Sequence, residues 1–428
     1  MRARRRRARA SGPAVLVIGG GFAGLTAVQA LARSRAQVTV IDRNVYSTFQ
    51  PLLYQVATAG LTSADVAYPL WMLTSKTGAS YRKGELADLD LEHRRVLLAE
   101  GAEVGYDYLI IATGVGAAYF GVAGAAEHSW SLYTRRDAVA LRNHLLYEFE
   151  RRNEGPADQE LDITVVGGGA TGVELAGTVA ELRNIALPAA FPEIDIDRMR
   201  VRLIEMGPAL LAPYHGRQRE YTRQQLVNRG VEVLLDTTIK EVTADSVLLA
   251  DGSRLRSDIT VWAAGVAAPD AAWDAGLVRG RGGRIDVEPD LRVIGQDRVF
   301  AVGDVAVTED NPVPQLAQPA IQQGRHAADQ IMRLMAGQPT VPFAYHDKGI
   351  MATVGRRSAV VELPRGLQLR GTLAWLTWLG LHLFYLLGNR NRVVTLVNLS
   401  WRYLTWSRGG GVIVGDDVPG EDLSSPAH

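Results

Sequence analysis

The chain has 428 residues, enough for two or three domains rather than a single core. A hydrophobic fraction of 47% and a charged fraction of 21% belong to a folded protein. The 46 Lys plus Arg balance 46 Asp plus Glu, which argues against a nucleic-acid binder, whose affinity rests on excess positive charge. Cys is absent, and with it go disulfides, Cys-ligated zinc, iron–sulfur clusters and every thiol mechanism.

In chain order, the first signal is a basic cluster: Arg2, Arg4, Arg5, Arg6, Arg7 and Arg9. Residues 1–12 read as a disordered basic tail. A twin-arginine export signal is a poor second reading, because the hydrophobic region it requires is missing. The apolar run Ala14 to Ile18 leads straight into Gly19-Gly20-Gly21 and so predicts a strand. There, Gly19, Gly21 and Gly24 make a G-x-G-x-x-G turn between a β-branched run and an Ala/Leu-rich helical pattern. Such a turn permits close backbone approach to a pyrophosphate and offers it a helix N-terminus. The next predicted strand, Gln37 to Asp42, ends in an acid roughly 20 residues on, where a ribose contact is required. Arg43 follows, and then Asn44 to Thr58, an aromatic, Gln-containing stretch that includes Gln50 and reads as a loop with a short helix. Tyr106 to Ile111 predicts a strand running into Thr113-Gly114.

About 150 residues after the first turn, the pattern repeats at Gly167, Gly169 and Gly172. Its acid comes later, because Asn184 to Arg198 reads as an inserted connection. Glu205 then ends the strand that starts at Met199. A carboxylate there accepts ribose hydroxyls and repels a 2′-phosphate, and Met206 and Gly207 supply no Arg to welcome one. The second site should therefore prefer NAD(H) to NADP(H). Thr260 to Gly265 repeats the strand ending in a small residue and Gly (Ala264-Gly265), and Arg298 to Asp304 ends in Gly303-Asp304.

Two nucleotide turns on one chain imply a cofactor and a co-substrate. The pattern resembles the two-dinucleotide-binding-domain flavoproteins, over Ala14 to Met335. The resemblance implies an α/β protein with two Rossmann-like domains, the second inserted in the first. Residues 13–125 and 286–345 would bind FAD, tightly and without a covalent bond. Its contacts would come from Gly19, Gly21, Phe22, Ala23, Gly24, Asp42, Arg43, Gln50, Thr113, Gly114, Gly303, Asp304, Ala317 and Gln318. Residues 126–285 would bind NADH through Gly167, Gly169, Ala170, Thr171, Gly172, Glu174, Glu205, Ala264 and Gly265.

Many members of that superfamily work through a Cys pair, which this chain lacks, so electrons must leave the flavin directly. Three segments narrow the resemblance: Asn44 to Thr58, Gln315 to Gly324 and His346 to Val360. In the second, Gln318 and Gln322 lie four apart, on one helical face. In the third stands Lys348, one of only four Lys. Together they resemble the type II, non-proton-pumping NADH dehydrogenases, which pass electrons from NADH through FAD to a membrane quinone, here menaquinone or ubiquinone. The resemblance places Gln318, Gln322 and Lys348 by the quinone and Glu174 by the nicotinamide–flavin contact, and it implies a homodimer. Taken alone, the two Gln read equally well as helix surface, Lys348 as a solvated charge and Glu174 as a complement to the helix dipole. The eight His show no metal-ligand spacing, so no metal site is expected. A soluble NADH-dependent ferredoxin or rubredoxin reductase stays open as an alternative, as does a non-catalytic NADH-sensing flavoprotein.

Residues 346–410 form the third expected region, followed by a tail, 411–428. From Leu363 to Gly415 there is no acid, while Arg365, Arg370, Arg390, Arg392, Arg402 and Arg408 are present. The apolar run Leu373 to Leu387 would span about 22 Å as a helix, short of a hydrocarbon core of about 30 Å. A second run, Val393 to Trp406, is more polar. Trp375, Trp378, Trp401 and Trp406 fall in these runs, where interfacial helices would hold them at headgroup depth. The expectation is peripheral, monotopic attachment to an anionic lipid surface on the cytoplasmic face of a bacterial inner membrane. A pair of core or dimer-interface helices is the alternative.

Overall fold

The computed structural model describes residues 12–155, 160–268, 276–309 and 312–405, with only the helical backbone for 402–405. Nearly all of the basic tail, Trp406, Arg408, the side chain of Arg402 and the tail 411–428 lie outside the described residues. The protein is α/β, and its contacts divide it into two compact units. The first comprises the segment ending at Ser47, Tyr68–Gly116 and Val266–Asp347. The second comprises Thr48–Ala67, Ala117–Gly265 and the segment from Lys348 on.

The first unit is built on a five-stranded parallel sheet in the order Val299–Ala301, Tyr108–Ile111, Ala14–Ile18, Gln37–Asp42, Ser80–Lys83. Ala14–Ile18 pairs on both sides, with Val15 opposite both Val38 and Tyr108. Its apolar run is continuous rather than alternating because both faces are buried. An antiparallel sheet of Leu86–Asp90, Arg95–Leu98 and Glu103–Gly105 belongs to the same unit. The helices Phe22–Leu31 and Ala317–Met335 cross closely at Gly324, where a Cβ would stand 2.1 Å from the Ala23 carbonyl oxygen. Only glycine permits that approach.

The second unit repeats the plan. Its parallel sheet runs Trp130–Ser131, Ile259–Trp262, Leu161–Val166, Met199–Ile204, Val231–Leu234. Its antiparallel sheet is Ile239–Val242, Ser246–Leu249 and Arg254–Arg256. Over the stretch expected as an inserted connection, Asn184 to Arg198, the helix Ala170–Glu181 runs on through a π-helical turn, Leu182–Ala186, and a short helix, Leu187–Ala190, and a 3₁₀ turn, Ile196–Arg198, leads into the next strand.

A third sheet of this unit, Ile350–Gly355, Ser358–Glu362 and Gln368–Arg370, is antiparallel and lies on the helix Ala170–Glu181. The contact is close at Gly177, where a Cβ would come 2.2 Å from the Val354 carbonyl oxygen. Two helices follow, Gly371–Tyr385 and Asn389–Thr405. Among the described residues no helix is long and apolar enough to cross a membrane. The tryptophans depart from expectation. Trp375 and Trp378 are buried, because the first of these helices turns them inward onto the third sheet, whereas Trp401 is exposed.

Candidate active site

The two Gly-rich turns have one geometry. Gly19 and Gly167 both have φ of 106°, a conformation open to glycine and costly to other residues. Each receives its place from the neighbouring strand: the Gly19 N–H bonds the Ile41 oxygen, and the Gly167 N–H the Ile204 oxygen, both at 2.8 Å. A Cβ on Gly24 would fall 1.9 Å from the Gly19 oxygen, and one on Gly172 1.9 Å from the Gly167 oxygen. By contrast, a Cβ on Gly21 or Gly169 would meet nothing within 4 Å. Each turn is thus walled by backbone behind and open in front, at the start of a helix. That is the cradle a pyrophosphate needs, so the residues present fit a dinucleotide at both places.

The acids are set alike. Asp42 accepts the Gly20 N–H at 2.6 Å and the Asn44 N–H at 2.6 Å. Glu205 accepts the Gly168 N–H at 2.6 Å and the Gly207 N–H at 2.7 Å. Burial raises the Asp42 pKa above the ordinary carboxylate range, against the pull of the Asn44 and Gly20 N–H groups and Arg43. Arg43 itself is exposed and pairs with Glu85 at 3.5 Å. Phe22 and Ala23 open the first helix, and Ala170 and Thr171 the second, both of the latter exposed. Thr113 runs past the first turn, its N–H 3.1 Å from where a Gly19 Cβ would be, and Gly114 follows with φ of 72°. Ala264 passes the second turn in the same way, its Cα 2.6 Å from a Gly167 Cβ, with Gly265 next.

The structure also gathers Gly303 and Asp304 into the first turn's surroundings. A Gly303 Cβ would lie 3.2 Å from Ala23 Cβ and 3.6 Å from Ala320 Cβ. Burial pushes the Asp304 pKa up to about 6, with Arg284 pulling it down. Gln323, which the residue pattern did not single out, accepts the Gly303 N–H at 2.7 Å through its Oε1. Its signal was available, one residue beyond Gln322 and on the face that carries Gly324. Gln50 lies in the segment 48–67 of the second unit, in the 3₁₀ turn Gln50–Leu52.

Gln318 and Gln322 sit in the first two turns of the helix Ala317–Met335, but their amides differ. Gln318 Oε1 is buried and has no hydrogen-bond partner among the described residues. Gln322 is engaged: its Nε2 donates to the His346 oxygen at 2.9 Å, and its Oε1 accepts the His346 N–H at 3.0 Å. Lys348 is exposed, and Gly349 after it, with φ of 87°, presses on the third sheet, where a Cβ would stand 2.2 Å from the Glu362 oxygen.

Glu174 is not a solvated residue complementing the helix dipole. It is buried beneath the third sheet and accepts the Thr353 N–H at 3.2 Å. Burial raises its pKa to about 8, opposed by that N–H and by the Trp378 indole. Trp378 stacks on His382 at 4.1 Å between ring centres, and burial lowers the His382 pKa to about 4. Glu174 and His382 are therefore both neutral at pH 7. Burial, with Glu174 and Glu362 nearby, also holds the Tyr214 hydroxyl protonated. None of Thr353, Trp378 or Tyr214 could be placed beside Glu174 from spacing, since they arrive from other parts of the chain.

The family described as pyridine nucleotide-disulphide oxidoreductase matches residues 13–324. The chain is 37% identical to the type II NADH:quinone oxidoreductase Ndh of Mycobacterium tuberculosis, over 92% of this chain and 89% of that protein. It is 29% identical to a type II NADH:quinone oxidoreductase of Staphylococcus aureus, over 81% and 88%. Its fold is that of NDH2 from Plasmodium falciparum, solved in complex with NADH, at a TM-score of 0.86 and 19% identity over 94% of this chain and all of that one. A ferredoxin reductase from Rhodopseudomonas palustris shares the fold less fully, at 0.65 over 83% of the chain. With twin dinucleotide turns, no cysteine and this likeness along its length, the chain belongs to the type II NADH:quinone oxidoreductases, FAD-dependent enzymes that oxidise NADH and reduce a quinone.

Proposed function

We propose that this enzyme works as a peripheral protein on an anionic lipid surface, on the cytoplasmic face of a bacterial inner membrane. The observation that carries this reading is the outer side of the two C-terminal helices. Leu373, Leu376, Leu381 and Phe384 of the first, and Val393, Leu396, Val397 and Trp401 of the second, are all exposed. No acid lies between Leu363 and Gly415 to oppose such a surface, and Arg365, Arg370, Arg390 and Arg392 favour it. The reading as a homodimer rests on the family resemblance.

In this reading the first turn, within 13–125 and 286–345, holds FAD. The second, within 126–285, holds NADH, and 346–410 serves quinone and membrane. FAD, when bound, supplies the two-electron chemistry that links hydride donor to quinone. The chain's residues position and screen. The N–H groups at Gly167 to Gly172 receive the pyrophosphate of NADH, and Glu205 takes the adenosine ribose hydroxyls. Glu174, kept neutral by burial, adds no negative charge to the helix that this turn opens. Gln318 and Gln322 address the quinone carbonyls without adding charge, and Lys348 offers a cation to the developing quinolate oxygen. Quinone takes up two electrons and two protons and leaves as quinol, menaquinol or ubiquinol.

Vesicle co-sedimentation of the FAD-loaded protein tests the membrane reading. Leu376→Asp combined with Phe384→Asp should lower binding to anionic vesicles at least about tenfold, given about 1.5–3 kcal/mol per buried large side chain. NADH-dependent reduction of a short-chain, water-soluble quinone should persist. Undiminished vesicle binding defeats the reading. Truncation before these helices is a poorer test, because it strips the buried Trp375 and Trp378 from the second unit's core.

A further inference from the structure

Phe120 combines three features that do not ordinarily meet in one residue. Its backbone is left-handed, with φ of 53°, a conformation that is a genuine outlier for a bulky side chain. Its ring is 69% exposed, so no core burial compensates the strain. And the tip of the ring lies against a glycine of the second unit: a Cβ on Gly265 would come within 2.6 Å of Phe120 Cζ.

The placement is built rather than incidental. The Ala118 N–H bonds the Gly265 oxygen at 3.1 Å, and the Trp262 indole N–H bonds the Ala118 oxygen at 2.7 Å. Tyr119 packs on the Trp262 ring at 5.8 Å. Further along, the Val242 N–H bonds the Ala123 oxygen at 2.8 Å, and Gly124, with φ of 67°, leaves room for the Val242 backbone. Residues 118–124 are thus fastened at both ends, with the strained residue and its ring between.

What that ring faces follows from strand order. Met199–Ile204, Leu161–Val166 and Ile259–Trp262 are neighbours in that order. Across their carboxyl ends stand Glu205, then the Gly167 turn, then Gly265 with Phe120 upon it. A dinucleotide lies across such an edge with its pyrophosphate on the central turn. The adenosine ribose goes to the acid on one side, so the other nucleoside must extend over Gly265. We propose that Phe120 is a binding residue for NADH, its ring packing against the nicotinamide nucleoside. Backbone strain is retained there because an aromatic ring is needed beside Gly265, whose missing side chain leaves room for it. This rests on the second turn being the NADH site.

The test uses FAD-loaded enzyme and stopped-flow flavin reduction, with the Kd for NADH taken from the concentration dependence and ADP-ribose as a competitor lacking the nicotinamide ring. Phe120→Ala should raise the NADH Kd about tenfold and the ADP-ribose constant less than about twofold, in line with the worth of one aromatic stack. Phe120→Tyr should stay near the parent. Phe120→Gly should bind NADH as weakly as Phe120→Ala while melting no lower than the parent, since glycine adopts positive φ without strain. Glu205→Ala is the control and should weaken NADH and ADP-ribose together. If Phe120→Ala and Phe120→Gly leave the NADH Kd unchanged while Glu205→Ala weakens both ligands, the proposal is overturned and the NADH site stands. If Glu205→Ala also changes neither, the assignment of the second turn falls and the proposal with it.

Discussion

Asp42 and Glu205 make one and the same contact in two different units. Each carboxylate accepts the N–H of the middle glycine of its turn at 2.6 Å, Gly20 for Asp42 and Gly168 for Glu205. The second oxygen of each is taken by the N–H two residues on, Asn44 or Gly207. The acid is thereby fixed to the turn beside it, which under the proposed assignment holds the ribose and pyrophosphate contacts in register. Such preorganisation removes an ordering cost that binding would otherwise bear.

Nucleotide choice should follow the second of these acids. Glu205→Arg removes the charge that repels a 2′-phosphate and offers a donor for it, so the NADPH-to-NADH ratio of kcat/KM should rise at least about tenfold. The same change leaves the Gly168 and Gly207 N–H groups without their acceptor, at a cost of about 1–3 kcal/mol, so the variant should also melt lower. An unaltered ratio in steady-state assays with both nucleotides rules out the ribose role.

The twin glycines allow the two sites to be damaged separately. In Gly24→Ala the new methyl meets the Gly19 oxygen at 1.9 Å, and in Gly172→Ala it meets the Gly167 oxygen at the same distance. Gly24→Ala should lose most of its FAD on purification, read from the ratio of flavin to protein absorbance. Gly172→Ala should keep its FAD and show an NADH KM raised about tenfold or more, because a turn displaced by even an ångström no longer fits the pyrophosphate. Equal flavin loss in both variants defeats the assignment of one turn to each nucleotide.

Glu174 should leave a signature in stability against pH. Its folded pKa, about 8, lies above the ordinary glutamate value of 4.5, so the folded chain keeps a proton that the unfolded chain has released between those values. Stability must therefore fall as pH rises through that window and level off above it, at a limiting slope of about 1.4 kcal/mol per unit. Glu174→Gln stays neutral throughout, so the melting temperature of the variant relative to the parent should climb from pH 5 to pH 8. A difference that stays constant across this range means that Glu174 is already ionised in the folded protein.

The two glutamines should not behave alike. Gln322 holds the His346 backbone by two hydrogen bonds, and Gln322→Ala should lower the melting temperature as well as turnover. Gln318 presents an Oε1 without a partner among the described residues, so Gln318→Ala should fold as well as the parent. In stopped-flow it should slow reoxidation of the reduced flavin by a short-chain quinone about tenfold or more while leaving NADH-dependent bleaching within about twofold. Equal losses in both half-reactions remove Gln318 from the quinone side.

Residue order was enough for whatever depends on local spacing. Both turns, both acids, the strands behind them and the Gly303-Asp304 return could be read directly, because a glycine needed at φ of 106° and an acid one strand later are short-range demands. The absence of cysteine narrowed the chemistry with no structure at all. Spacing could not reveal what long-range packing assembles. Glu174 is neutral because burial desolvates it, against the pull of the Thr353 N–H and the Trp378 indole, and the segments that cover it come about 180 and 200 residues later. Trp375 and Trp378 looked like interfacial anchors, since composition cannot say which face of a helix turns inward. Phe120 gave no signal, being one aromatic in a loop until folding set it on Gly265. Hydrogen-bond geometry within a turn is encoded by neighbours in sequence; burial, and the pKa values and exposed faces that follow from it, exist only once distant segments meet.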